Sequence, residues 1–218
     1  MADRTDPENR WEYRVWFDDQ TMTEPFDDGG WASEGEEVRT DLYVLASERR
    51  GLLPKLRGSA RFEVKERIER DGALEHWRVA VSEAFPLTAE GRTQAGRIVG
   101  DGPLSDAEAV SAEAVIAALE IRDQGLRLVE TRKRRRRFHQ RGGSCVGEWT
   151  LVEVPQFGAT ATTVGVEAAD KAVLVEAVSA LGLEPGTGDA RKPGRVADYG
   201  SFLRELGTEA STASFDKG

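Results

Sequence analysis

Several stretches of the chain alternate apolar and polar residues with period two, the pattern of a half-buried strand. Trp11 to Trp16 is the first and Arg39 to Leu45 the second. The clearest runs from Lys55 to Ile68. There Lys55, Arg57, Arg61, Glu63, Lys65 and Arg67 share one parity, while Leu56, Ala60, Phe62, Val64 and Ile68 occupy the other. Gly58-Ser59 predicts a turn or bulge that splits this stretch into two short strands. Asp71-Gly72 is a strong turn signal, so Leu74 to Ala84 is expected to return as a hairpin. Further strands are predicted over Leu126 to Phe138, Val146 to Val154 and Thr162 to Glu167, with Gly142-Gly143 turning between the first two.

Helical periodicity is confined to three places. Ser105-Asp106-Ala107-Glu108 reads as a capping box, and Val110, Ala114, Ala117 and Ile121 then trace one face up to Gly125. A second helix is predicted from Asp170 to Leu181, closed by Gly182. A third places Tyr199, Phe202, Leu203 and Leu206 at i, i+3, i+4 and i+7. The segments Leu87 to Pro103 and Glu184 to Gly194 read as mobile linkers. Residues 1–10 are expected to be flexible, 11–206 to form one domain and 207–218 to be a disordered tail. Strand pairs with few helices between them predict an α+β fold: an antiparallel β-barrel or strongly curved sheet with helices packed on the outside.

Charge sharpens this picture. Of 218 residues, 32% are charged and only 39% hydrophobic, more charge than a sheet with a single wet face needs. The net charge of −9 argues against a general binder of nucleic acid or anionic membrane. The cations are nevertheless clustered, at Lys55 to Arg78 and Arg127 to Arg141, so a local positive site for a small phosphorylated anion is expected. Cys145 is the only cysteine, which precludes an intrachain disulfide and reads as a small packed residue. The polar start and the lack of a long apolar run predict a cytoplasmic protein with no membrane partner. Oligomeric state is not legible.

Arg132 to Arg137 is a run of six cations. On a strand three would face each way, and like charges are tolerable only in water, beside counter-charges or around a bound anion. A barrel with a wet, charged bore gives both sides an outlet; a nuclear address or a nucleic-acid patch are the competing readings, as a solvent-facing surface is for Lys55 to Arg67. Glu12, Glu63, Glu130, Glu148, Glu153 and Glu167 share these strands. They could hold Mg2+ or Mn2+ beside substrate phosphates, or could balance neighbouring cations in cross-strand pairs. His76 and His139 fit no zinc pattern, and there is no Walker A motif, Rossmann fingerprint or nucleophile elbow.

In the order of these segments the chain resembles a diverged member of the CYTH superfamily, the triphosphate tunnel metalloenzymes. Arg39 to Tyr43, Lys55-Leu56-Arg57, Lys65, Lys133 with Arg135 and Phe138, and Thr163 to Glu167 carry the resemblance, which spans roughly 11–206. It implies a closed antiparallel barrel whose bore binds triphosphate with a divalent metal. Arg14, Lys55, Arg57, Lys65, Arg78, Lys133 and Arg135 are then the candidate phosphate ligands. Glu12, Glu63, Glu148 and Glu167 are the candidates for metal or counter-charge roles. The chain departs from the family at Arg14 and Trp16, which follow Glu12 where Glu and Lys are expected. It departs again at Ala80 and Ser82 after Arg78, and at Gly165, all positions where the family has carboxylates. Lost carboxylates with retained cations imply weaker metal binding and preserved anion binding. The expected function is therefore binding, with or without metal-dependent hydrolysis, of a triphosphate or other phosphorylated anion. The alternatives are an interaction protein contacting nucleic acid or an acidic partner through its basic strands, and a structural role with no ligand.

Overall fold

The structure is a computed structural model that describes residues 9–17, 23–26, 29–46, 49, 51–58, 60–184 and 194–215, the side chains of 210–215 excepted. Residues 1–8 of the expected flexible start and most of the 184–194 linker lie outside the described residues, while Arg10 already belongs to the first strand. Nine strands form one sheet: β1 (Arg10–Phe17), β2 (Trp31–Leu45), β3 (Leu52–Arg57), β4 (Arg61–Asp71), β5 (Leu74–Ala84), β6 (Arg127–Gln140), β7 (Val146–Val154), β8 (Ala159–Ala168) and β9 (Arg195–Val196). The order β5-β4-β3-β2-β6-β7-β8-β1 closes on itself, because β1 also pairs with β5. The fold is thus a closed eight-stranded antiparallel barrel, and closure leaves no open edge among those strands. The first half of β1 pairs with β5 at Arg10↔Trp77, and its second half pairs with β9 at Val15↔Val196.

Period-two alternation sorts the side chains. The outward parity of β3 and β4 (Leu56, Phe62, Val64) packs with Val44 and Val81 under helices α1 (Ala89–Ile98) and α2 (Ala112–Arg122). Trp11, Tyr13 and Val15 of β1 pack with Val164 and Val166 under α3 (Lys171–Ala180), whose Leu174, Ala177 and Val178 face them. Asp170 caps α3 by accepting from the amides of Ala172 and Val173, and Gly182 follows in the left-handed region at φ +62°. Cys145 is buried in this cluster.

The fourth helix, α4 (Tyr199–Phe215), stands apart. Its Tyr199, Phe202 and Leu203 pack against Trp16, Tyr43, Leu45, Leu53, Val129 and Val152, the apolar end of the bore. Phe202 stacks on Trp16 with ring centroids 3.7 Å apart, and Trp16 Nε1 donates to the Ala197 carbonyl. The barrel is therefore stoppered at one end. α4 extends through Phe215, into the stretch read from sequence as a tail.

Three sequence expectations are corrected. The segment 87–103 is not a linker but carries α1, started by Thr88 accepting from Gly91 N; Ala95 and Ile98 bury fully against the barrel, and this packing outweighs the low helix propensity of Gly91 and Gly96. The capping box at Ser105 and Glu108 forms reciprocally, but it opens only a single 3-10 turn. Ser111 sets the register of α2, so Ala112, Val115, Ala118 and Leu119 are buried while Val110 and Ile121 are exposed. In β4 a bulge between Arg67 and Glu69 turns Ile68 out to solvent, and Ala60 is exposed at the β3–β4 turn.

Candidate functional site

The inward parity of the strands lines a cavity of about 260 Å3. β1 supplies Glu12 and Arg14; β2 Arg39 and Tyr43; β3 Leu53, Lys55 and Arg57; β4 Glu63 and Lys65. β5 supplies Trp77 and Val79; β6 Lys133, Arg135 and Arg137; β7 Val146 and Glu148; β8 Glu167; Asp198 and Tyr199 close the floor. Eight of these residues are Lys or Arg and five are carboxylates, so the lining carries an excess of positive charge on a protein of net charge −9.

The run Arg132 to Arg137 divides as a strand requires. Lys133, Arg135 and Arg137 face the bore. Arg132, Arg134 and Arg136 face out and pair with Glu130, Glu36 and Glu24. Ten of the eleven residues singled out from sequence meet in this cavity; Arg78 does not. At its height the inward residues of β5 are Trp77 and Val79, so Arg78 points outward, where its Nε and Nη2 both donate to Glu66 Oε2 at 3.0 and 2.7 Å. Sequence reasoning missed Arg39, Asp41, Tyr43, Arg137, Asp198 and Tyr199. Arg39, Asp41 and Tyr43 share one parity, as do Arg137 and Lys133, so that signal was present; Asp198 and Tyr199 are brought in only by tertiary packing.

At the deepest point Lys133 Nζ donates to Asp41 Oδ2 at 2.8 Å and to Tyr43 Oη at 2.7 Å, and it lies 4.0 Å from the centre of the Tyr199 ring. Higher up, Lys55 Nζ is 2.7 Å from Glu63 Oε1, which also accepts from Arg57 at 3.0 Å. Arg14 Nε donates to Glu12 Oε1 at 2.7 Å and Arg14 Nη1 to Glu148 Oε1 at 3.2 Å. Arg135 takes the other oxygen of Glu148 at 3.0 Å and also bonds Glu37. Lys65 Nζ is 3.5 Å from Glu12 and 3.6 Å from Glu167, long for charge-assisted bonds.

These contacts set the ionisation states. Burial pushes the carboxyls up, but the cations outweigh it. Lys55 and Arg57 bring Glu63 down to about 2, and Arg14 and Arg135 hold Glu148 well below the carboxylate range. Arg14 and Lys65 hold Glu12 down in the same way. The lysines differ. Burial, with Arg57 and Lys65 close by, lowers Lys55 to about 8 despite Glu63. Burial, with Lys55 and Arg39 close by, lowers Lys133 to about 7 despite Asp41. Two guanidinium groups on the bore, those of Arg57 and Arg135, also have a buried Nε–H without an acceptor, while Arg39 Nε lies 3.3 Å from Asp41 Oδ2. Unmet buried donors beside lysines whose charged form is disfavoured by burial suit an incoming anion.

The four carboxylates proposed from sequence are each engaged by cations of the bore. Among the described residues no cluster of three or more His, Cys, Asp or Glu is arranged to hold a metal. Glu63 is locked between Lys55 and Arg57, Glu12 and Glu148 are bridged by Arg14, and Glu167 faces Lys65. No helix among the described residues is long and apolar enough to cross a membrane.

No protein-family model and no curated protein matches the chain. Solved structures do. A conserved hypothetical protein from Pyrococcus furiosus is 15% identical, covering 87% of this chain and 98% of its own, with a TM-score of 0.48. A protein from Pyrococcus horikoshii OT3 is 13% identical over 89% and 98%, with a TM-score of 0.46. A protein provisionally named an adenylate cyclase, from Bacillus halodurans, is 9% identical over 78% and 88%, with a TM-score of 0.39. At these values the likenesses assign neither a family nor an activity to this chain.

Proposed function

We propose that the barrel binds a compact phosphorylated anion, a triphosphate or an organic triphosphate, within its bore. The observation that carries this reading is the gathering of eight cationic side chains around one stoppered cavity, two of them with buried donors left unmet. The sequence resemblance to triphosphate tunnel enzymes points the same way. The competing reading, a nucleic-acid contact, loses its main support once the basic run is divided. Half of it faces a bore too small for a duplex, and the outward half is paired with glutamates.

Calorimetric titration with tripolyphosphate, pyrophosphate and orthophosphate at one ionic strength tests the proposal, with phosphate release followed on the same samples. Tripolyphosphate is expected to bind at least tenfold tighter than orthophosphate. Lys65→Met is expected to weaken it about 10- to 150-fold, because one charge-assisted contact contributes roughly 1.5–3 kcal/mol. Equal affinity for the three anions, or no binding, would sink the reading. Release of phosphate would make the protein a hydrolase; binding without release would make it a sensor or carrier.

A further inference from the structure

Arg14 and Gly165 are cross-strand partners, and Glu148 faces Gly165 from the other side. The glycine leaves a gap that the guanidinium fills: a Cβ on Gly165 would lie 2.6 Å from Arg14 Nη2 and 2.9 Å from Cζ. So seated, the Arg14 side chain is 5% exposed and bonded to Glu12 and Glu148, and Nη1 is also 3.4 Å from Thr163 Oγ1. The Tyr199 ring lies 4.8 Å from its Cζ. Both carboxylates line the cavity, so a fixed positive charge stands between them. A divalent ion needs oxygen ligands at about 2.0–2.6 Å, and both Glu148 oxygens already accept from guanidinium groups.

We infer that Arg14, seated over Gly165, takes the place a divalent cation would occupy, so that the ligand is bound as the free polyanion and not as its metal complex. This rests on reading the bore as an anion site. Arg14 would act as a positioning residue as well as a counter-charge: it holds Glu12 and Glu148 away from the ligand and turns their negative charge inward on itself.

The test is tripolyphosphate titration of the intact protein in EDTA and then in excess Mg2+, alongside electron paramagnetic resonance of Mn2+ mixed with protein alone. Binding is expected in EDTA, unchanged or weaker in Mg2+, which withdraws free tripolyphosphate from solution. The free Mn2+ signal is expected to be unaffected by the wild-type protein. Arg14→Glu is expected to lose at least tenfold in tripolyphosphate affinity in EDTA and to bind Mn2+. Arg14→Lys is expected to keep metal-free binding. Binding that requires Mg2+ or tightens tenfold with it, or a wild-type protein that captures Mn2+, would overturn the inference and leave the anion site standing. Absence of binding in both conditions would overturn the anion site and the inference with it. Should Arg14→Glu not fold, as judged by circular dichroism, the wild-type comparison and Arg14→Lys still decide.

Discussion

Removing either partner of the buried Lys133–Asp41 pair should destabilise the protein by unequal amounts, and the inequality is set by which group can discard its charge. Lys133 is lowered to about 7, so at pH 7 its charged and neutral forms are nearly equal in free energy, and shedding the proton costs well under about 1 kcal/mol. In Asp41→Asn the neutral amine still has Tyr43 Oη at 2.7 Å. The loss is then about one hydrogen bond, roughly 1–1.5 kcal/mol. Lys133→Met keeps the length of the side chain but strands Asp41, which is fully buried and already has Oδ1 without a partner. Its nearest remaining cation is Arg39, with Nε 3.3 Å away. That variant should lose about 3–5 kcal/mol, the cost of an uncompensated buried charge. Urea unfolding at pH 7 measures both, read as a shift in midpoint at constant slope. At pH 5 the Asp41→Asn cost should grow by about 2–3 kcal/mol, since the amine must then discard its proton at 1.36 kcal/mol per pH unit. The double variant, with neither charge, should recover part of the Lys133→Met loss. If Asp41→Asn proves as costly as Lys133→Met at pH 7, Lys133 is firmly protonated and the reasoning is wrong.

The same lysines make anion binding dependent on pH. A bound anion favours the protonated forms of Lys133 and Lys55, which are lowered to about 7 and 8 in the free protein, so affinity for tripolyphosphate should fall as pH rises from 7 to 9. Calorimetry in buffers of different ionisation enthalpy should register proton uptake over that range; affinity independent of pH would contradict it. At the stoppered end, Phe202→Ala removes a ring that is 2% exposed and stacked on Trp16, and should cost about 3–5 kcal/mol. Urea unfolding and increased acrylamide quenching of tryptophan fluorescence would show it, and a loss below 1 kcal/mol would mean that α4 does not stopper the bore.

Much of the site was legible because strand alternation is a local property. Once Lys55, Arg57, Glu63 and Lys65 fall on one parity and Phe62 and Val64 on the other, burial of the apolar set sends the charged set to the opposite face, which closure of the barrel makes the bore. The division of Arg132 to Arg137 follows in the same way. Bulges were not legible. Between Val64 and Lys65 the pairing skips Ala80, and Ile68 is skipped in turn, so parity changes along β4 and β5 with no local sign. The resemblance put Arg78 inside on the parity of Ala80 and Ser82, and the skipped Ala80 is what turns Trp77 and Val79 inward instead. The α2 register failed for a related reason: Ser105 and Ser111 are both good caps, and only packing of Val115 and Leu119 on the barrel selects the second. The seating of Arg14 over Gly165 depends on two strands about 150 positions apart, which no local pattern encodes.

The shared edge of β1 bears on how the protein comes together. β1 cannot complete its pairing until β8, β5 and β9 are all in place, and the stopper follows β9 directly, so the site is assembled from both ends of the domain. Until β1 docks, the cations of β3, β4 and β6 lie on an open sheet in water, and their desolvation falls on the closing step. Ring closure is therefore expected to be charge-sensitive, and polyvalent anions in the refolding medium should hasten refolding if it limits the rate; stopped-flow refolding with and without tripolyphosphate checks this.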